Sequence, residues 1–174
     1  MTAEQVYEYV ANWSKEYDPE FYTLISRDSK YMTDILSIGR GGKKPRKDFG
    51  RWSEVKDYVS FFFDELFQPD YTQMPAHLSQ ETINQILEDY VKVYDEADDS
   101  SAWFEKLKAM CPNYGFTADM KAYRKDPTAF AGNVGDLSMV LRVAVCGRSQ
   151  APDLHTVMQL LGKETVIDRL VKAK

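Results

Sequence analysis

Apolar residues in this chain recur every three or four positions, and caps and breakers separate the runs sharply. The clearest run is Ile83, Ile86, Leu87, Tyr90, Val91 and Tyr94, opened by Ser79. That spacing lines one face of a helix. Leu137, Val140, Leu141, Ala144 and Val145 repeat the pattern and stop at Gly147. Thr2 and Gln5 have capping-box spacing ahead of Val6, Val10, Trp13 and Tyr17, and Pro19 restarts the chain. A second stretch, Glu20 to Ile38, runs to Gly39. Ser53 is the expected N-cap of a helix bearing Val55, Tyr58, Val59, Phe62 and Leu66. Phe104, Leu107, Met110 and Cys111 form a further stripe, stopped by Pro112 and Gly115. Thr117 is read as capping a short helix to Lys125, and Pro152 as opening one that ends at Leu161. The last helix, Glu164 to Val171, is expected to turn Ile167, Leu170 and Val171 inward. Nowhere do apolar and polar residues alternate for long. The expectation is an all-α helical bundle or cage of about eight to ten helices. A divide within 112–132 splits it into subdomains at 1–115 and 116–174.

Hydrophobic residues make up 44% of the chain and charged ones 28%, a balance that suits a soluble globular protein. No apolar run approaches the ~18 residues of a membrane span. Cys111 and Cys146 lack the paired spacing of a zinc site and read as reduced core thiols. The formal charge of -5 argues against a nucleic-acid partner, but a basic footprint is local. Residues 40–51 hold six basic side chains, Arg40, Lys43, Lys44, Arg46, Lys47 and Arg51, against Asp48 alone. The acids are densest elsewhere, at Asp95, Glu96, Asp98 and Asp99.

Residues with catalytic spacing are missing. Gly41-Gly42-Lys43 lacks P-loop spacing and follows a helix rather than a strand. His77 and His155 stand apart from any nucleophile or metal-ligand pattern. Taken alone, a charged loop is more often a solvated face than a binding site. By the same weighing Arg142 is a surface arginine paired with Asp136 or Asp153, and Tyr58, Tyr90 and Tyr94 are core. Trp52, at the edge of the basic loop, suits either role. Phe61, Phe62 and Phe63 cover too much of one helix for a single face, which leaves one of them to touch a neighbouring domain.

A resemblance adds to this reading. Leu141-Arg142-Val143-Ala144-Val145-Cys146-Gly147-Arg148, Ala151-Pro152-Asp153-Leu154, Leu160-Leu161-Gly162-Lys163-Glu164 and Arg169-Leu170 resemble, in order and spacing, the C-terminal end of bacterial class I glutamyl-tRNA synthetases. Lys44-Pro45-Arg46-Lys47-Asp48 with Trp52 looks like that family's Pro-Arg turn. Ala151 and Cys146 depart from the hydroxyl residues usual there. The resemblance implies an anticodon-binding part without the catalytic domain, since no HIGH-like or KMSKS-like sequence occurs. It implies the tRNA(Glu) anticodon loop as partner, together with a catalytic domain of the same polypeptide that would use ATP and Mg²⁺. It gives Arg46 the third anticodon base, Arg142 a base contact, and Ala151 and Pro152 the loop shape. Lys43, Lys44, Lys47, Arg51 and Arg148 are expected at phosphates, from charge and position. A cytoplasmic protein with no DNA or membrane partner is expected. The alternative is a stand-alone synthetase-like helical domain acting in RNA binding or protein interaction.

Overall fold

The computed structural model describes all 174 residues and contains ten α-helices. Its only sheet is one pair of two-residue strands. The chain forms two compact units, Met1–Phe67 and Gln68–Lys174.

The first unit begins with α1 (Ala3–Tyr17), α2 (Pro19–Ser26) and α3 (Ser29–Ser37). Thr2 and Gln5 close the capping box: the Gln5 amide donates to Thr2 Oγ1 at 3.2 Å, and the Thr2 amide to Gln5 Oε1 at 2.9 Å. Asp18 caps α2, with Pro19 in its first turn. The expected single helix from Glu20 to Ile38 is broken at Asp28, whose carboxylate accepts from the Tyr31 amide at 2.9 Å and starts α3. Ala3, Val6, Val10 and Ser14 are the buried face of α1, so Trp13 and Tyr17 lie off the core line that their spacing suggested.

In α4 (Ser53–Val59), Ser53 is the first helical residue rather than the cap, and Trp52 stands at the N-cap without a side-chain bond. The helix gives way to a 3-10 turn at Ser60–Phe62. Changing the winding re-aims successive side chains. Phe61, Phe62 and Phe63 are thereby all buried, 2–6% exposed, and none is left for a neighbour.

The second unit holds α5 (Gln80–Val93), α6 (Ser100–Met110), α7 (Met120–Lys125), α8 (Val134–Cys146), α9 (Leu154–Leu161) and α10 (Lys163–Lys172). Strand β1 (Phe116–Thr117) pairs in parallel with β2 (Gly132–Asn133). Ser79 caps α5 as expected. Asp99 caps α6, whose buried stripe is Trp103, Leu107 and Met110, with Phe104 outside. Asp119, not Thr117, caps α7. Asp153 is the N-cap of α9, so Pro152 precedes the helix instead of sitting in its first turn.

Helix α8 is the axis of this unit: Leu137, Val140, Leu141, Val143, Ala144 and Val145 are fully buried. Helices α5, α6 and α10 all pack against it. That packing puts the division between compact units after Phe67 and not at 115–116. Helices α5 and α6, assigned from sequence to the first subdomain, bury their apolar faces in the second unit. Helix α10 turns in Val166 and Leu170 together with Arg169, while Val171 is 49% exposed. Tyr90 accepts from Trp103 Nε1 at 3.0 Å, and burial raises its phenol pKa. Cys111 and Cys146 are buried and unbridged. No helix is long and apolar enough to cross a membrane.

Candidate nucleic-acid interface

In the first unit, the segment between α3 and α4 leaves the helix through Gly39, at φ 70°, a left-handed conformation that suits glycine. The Arg46 amide donates to Gly39 O at 2.9 Å and closes the loop. Arg46 Nε donates to Ile38 O at 3.1 Å. Its guanidinium carbon sits 4.5 Å from the centroid of Phe49 and 4.5 Å from that of Tyr58. Those two rings meet at 71°, so the cation lies in the corner between them. Burial lowers its pKa, yet an arginine so placed remains charged. Arg46 Nη2 is covered by protein and has no hydrogen-bond partner.

Arg40 is held as firmly. Its Nε donates to Leu36 O at 2.7 Å and its Nη1 to Met1 O at 3.2 Å, and it pairs with Asp48. That pair lowers the Asp48 pKa, the Arg40 hydrogen bond being the main cause. The two arginines thus give the segment its shape and take up its one acid. Lys43, Lys44, Lys47 and Arg51 are exposed, and they form its cationic outer surface.

In the second unit, the loop from Gly147 to Asp153 is fastened at both ends. Gly147 ends α8 at φ 72°, and its carbonyl accepts from the Asp70 amide at 2.9 Å. The amide and hydroxyl of Ser149 both donate to Gln73 Oε1, at 2.8 and 2.9 Å. Arg142 Nη1 donates to Ala151 O and Pro152 O, each at 2.7 Å. Arg142 pairs with neither Asp136 nor Asp153. Asp136 closes the capping box of α8 and meets His77 Nε2 at 3.2 Å, while Asp153 caps α9. Arg148, half-buried, belongs to this loop. Beneath it Arg169, 2% exposed, donates from Nη1 to Val145 O at 2.8 Å.

The family model described as "Anticodon binding domain" matches residues 45–174, which takes in Arg46 and the rest of the first loop from Pro45 onward and the whole of the second. The chain belongs to the anticodon-binding domain family. Among curated proteins it is similar to glutamate–tRNA ligases. The protein of Clostridium perfringens strain SM101 is 38% identical over 175 residues, which cover 99% of this chain and 32% of that protein. That of Acetivibrio thermocellus is 38% identical over 168 residues, 97% of this chain and 31% of the relative. That of Sorangium cellulosum is 37% identical over 173 residues, 99% and 30%. The chain therefore spans about a third of the length of these relatives.

Within this anticodon-binding domain, the two segments carry an internal wiring that their sequence does not reveal. Arg46 and Arg142 are in different compact units, and each is bonded to main-chain carbonyls. Phe49 and Tyr58, the rings that hold Arg46, were not read as site residues. Phe49, three residues after an arginine in a basic loop, was the available signal. Gln73 and Asp70, which hold the second loop from 76 and 77 positions away, gave none.

Proposed function

We propose that this chain is the anticodon-recognition part of a glutamate–tRNA ligase and binds the anticodon loop of tRNA(Glu). What carries the reading is that one anticodon-binding match takes in both Arg46 and the Arg142-held loop, in a chain whose relatives are glutamate–tRNA ligases. The chemistry fits. Unpaired RNA bases are read by rigid donors and stacking surfaces, and phosphates by flexible cations. Lys43, Lys44, Lys47, Arg51 and Arg148 meet phosphates. Arg46 reads the third anticodon base from a guanidinium already held in place by two rings. Its covered Nη2 becomes available only when the loop yields to RNA. Arg142 acts by setting the Ala151–Pro152 loop rather than by reaching a base itself.

The whole protein then attaches glutamate to its tRNA with ATP and Mg²⁺ in a catalytic domain outside this chain, in the cytoplasm. Binding energy gathered at the anticodon helps seat the acceptor end at that distant site. Two RNA stem-loops, with glutamate and glutamine anticodons, test the reading by titration against the chain and its Arg46→Gln variant. A glutamate preference that vanishes in the variant supports it. Equal loss for both loops removes the base-reading role from Arg46. Absence of binding to either at low salt defeats the anticodon reading for this chain.

A further inference from the structure

Helix α1 carries aromatic side chains that its core does not use. Tyr9, Trp13 and Tyr17 follow at intervals of four, a spacing that sets them side by side along one flank. Tyr9 is 54% exposed and Tyr17 65%, among the most exposed large hydrophobic side chains of the molecule. They are also ordered. Trp52 stacks on Tyr9 with centroids 5.4 Å apart and planes 4° from parallel. Trp13 and Tyr17 stack at 5.9 Å and 29°. Two stacked pairs therefore run in file along the outside of the first unit.

One end of this file is bound to the cationic segment. Trp52 directly follows Arg51, and Arg40 ties the same segment to Met1 at the start of α1. Exposed Tyr9 stacked on half-buried Trp52, in the segment that also carries exposed Lys43, Lys44, Lys47 and Arg51, combines flat apolar faces with positive charge, the two requirements of a single-strand RNA surface. Glu16 borders the far end, and Glu8 lies about 100° around the helix from Tyr9. Those acids turn a phosphate chain away from the helix and toward the loop.

We infer that the Tyr9–Trp52 pair, continued by Trp13 and Tyr17, is a stacking platform for unpaired RNA bases, with the backbone of the strand on the adjacent cations. The inference rests on the anticodon reading and adds to it a surface that contacts bases without reading their edges. Every base offers a face to stack on, so the platform contributes affinity rather than selectivity.

The test is a titration of a glutamate-anticodon stem-loop against the chain and its Trp52→Leu, Trp52→Phe and Tyr17→Ala variants, repeated with a stem-loop whose anticodon-loop nucleotides are abasic. Trp52→Leu is expected to weaken binding about 5- to 100-fold, Trp52→Phe far less, and neither to change the salt slope, since no cation is removed. Abasic RNA is expected to bind the chain and Trp52→Leu alike, because the two losses are one interaction. Tyr17→Ala, at the exposed helix end, keeps the test valid if Trp52→Leu loosens the unit. Equal affinity of all variants for the intact loop, in a chain that binds it, overturns the platform and leaves the anticodon reading standing. A chain that binds no stem-loop overturns both.

Discussion

Replacing Arg142 by methionine isolates what the second loop owes to one side chain. Methionine keeps an apolar stem on α8 and removes the fork. Lost are the two Nη1 bonds to Ala151 O and Pro152 O, each at 2.7 Å. Hydrogen bonds to a charged group contribute about 1.5–3 kcal/mol each. The freed carbonyls sit on a part-buried loop and recover water, which offsets some of the sum. A net loss of about 2–4 kcal/mol in the second unit follows. At roughly 2–4 °C per kcal/mol for a chain of this size, the melting midpoint falls by about 4–16 °C. Urea unfolding followed by circular dichroism gives the first number, and hydrogen exchange across 147–153 locates it. Arg142→Lys recovers at most half, because a compact ammonium does not reproduce the planar fork. RNA affinity falls in the methionine variant for all anticodons alike. Unchanged stability, within about 0.5 kcal/mol, with binding lost at one base only, would falsify the loop-holding role and return Arg142 to direct base contact.

Asp18 links α2 to Lys56 at 2.6 Å, and that hydrogen bond is the main reason its carboxyl pKa lies below the usual value. A depressed pKa contributes stability that is present above the unfolded value near ~3.9 and lost as pH falls through the folded one. Asp18→Asn should therefore cost up to about 1 kcal/mol at neutral pH, with the gap to the parent closing in acid; a gap constant down to pH 2 contradicts this. Burial pushes the Cys146 thiol up to about 12 and raises that of Cys111. Neither should react with a disulfide reagent at pH 8 until urea unfolds the chain, since the thiolate is the nucleophile; rapid labelling of the folded chain would refute it. At Gly132 an added Cβ comes within 2.8 Å of Phe116 Cε1 and 3.0 Å of Asp136 Oδ2. Gly132→Ala should destabilise the second unit by about 1–3 kcal/mol, read by urea unfolding, and a neutral result would mean that the ring swings aside freely.

What was legible in the sequence was what is decided locally. Thr2 with Gln5, Ser79 and Gly147 act within four residues of themselves, and all three do what their identities imply. Asp28 escaped notice because the helical spacing continues across it, so its capping of α3 looked like one more polar position. The three phenylalanines were misread for a similar reason: a change from α to 3-10 winding leaves no mark in the apolar pattern. The division between units depended on which helices pack on α8, a long-range matter that no window reveals. At the candidate site the basic segment was plain from charge, yet its neutral half was hidden. The partners of Arg40 and Arg46 are chiefly main-chain carbonyls and rings. Main-chain carbonyls belong to every residue and so identify none. Arg169 shows the same gap in reverse, since a charge on an amphipathic helix reads as solvated until the fold covers it.

The strand pair has a consequence for how the second unit opens. Phe116 faces Gly132 and Thr117 faces Asn133, and the Ala131 amide donates to Gly115 O at 3.0 Å. Between these fastenings α7 and the following 3-10 turn at Pro127–Ala129 bury none of their residues. The segment is a flap stitched shut at its base, its body held only by half-buried side chains, chiefly Tyr123 against Phe130 with ring centroids 6.4 Å apart. Such a flap opens without the rest of the unit and exposes its amides on its own timescale. Lys121, Arg124 and Lys125 lie on it, so within the second unit trypsin should nick the folded chain there first. The two pieces would stay together, joined by the strand pair and by helices on either side of the cut packed against α8.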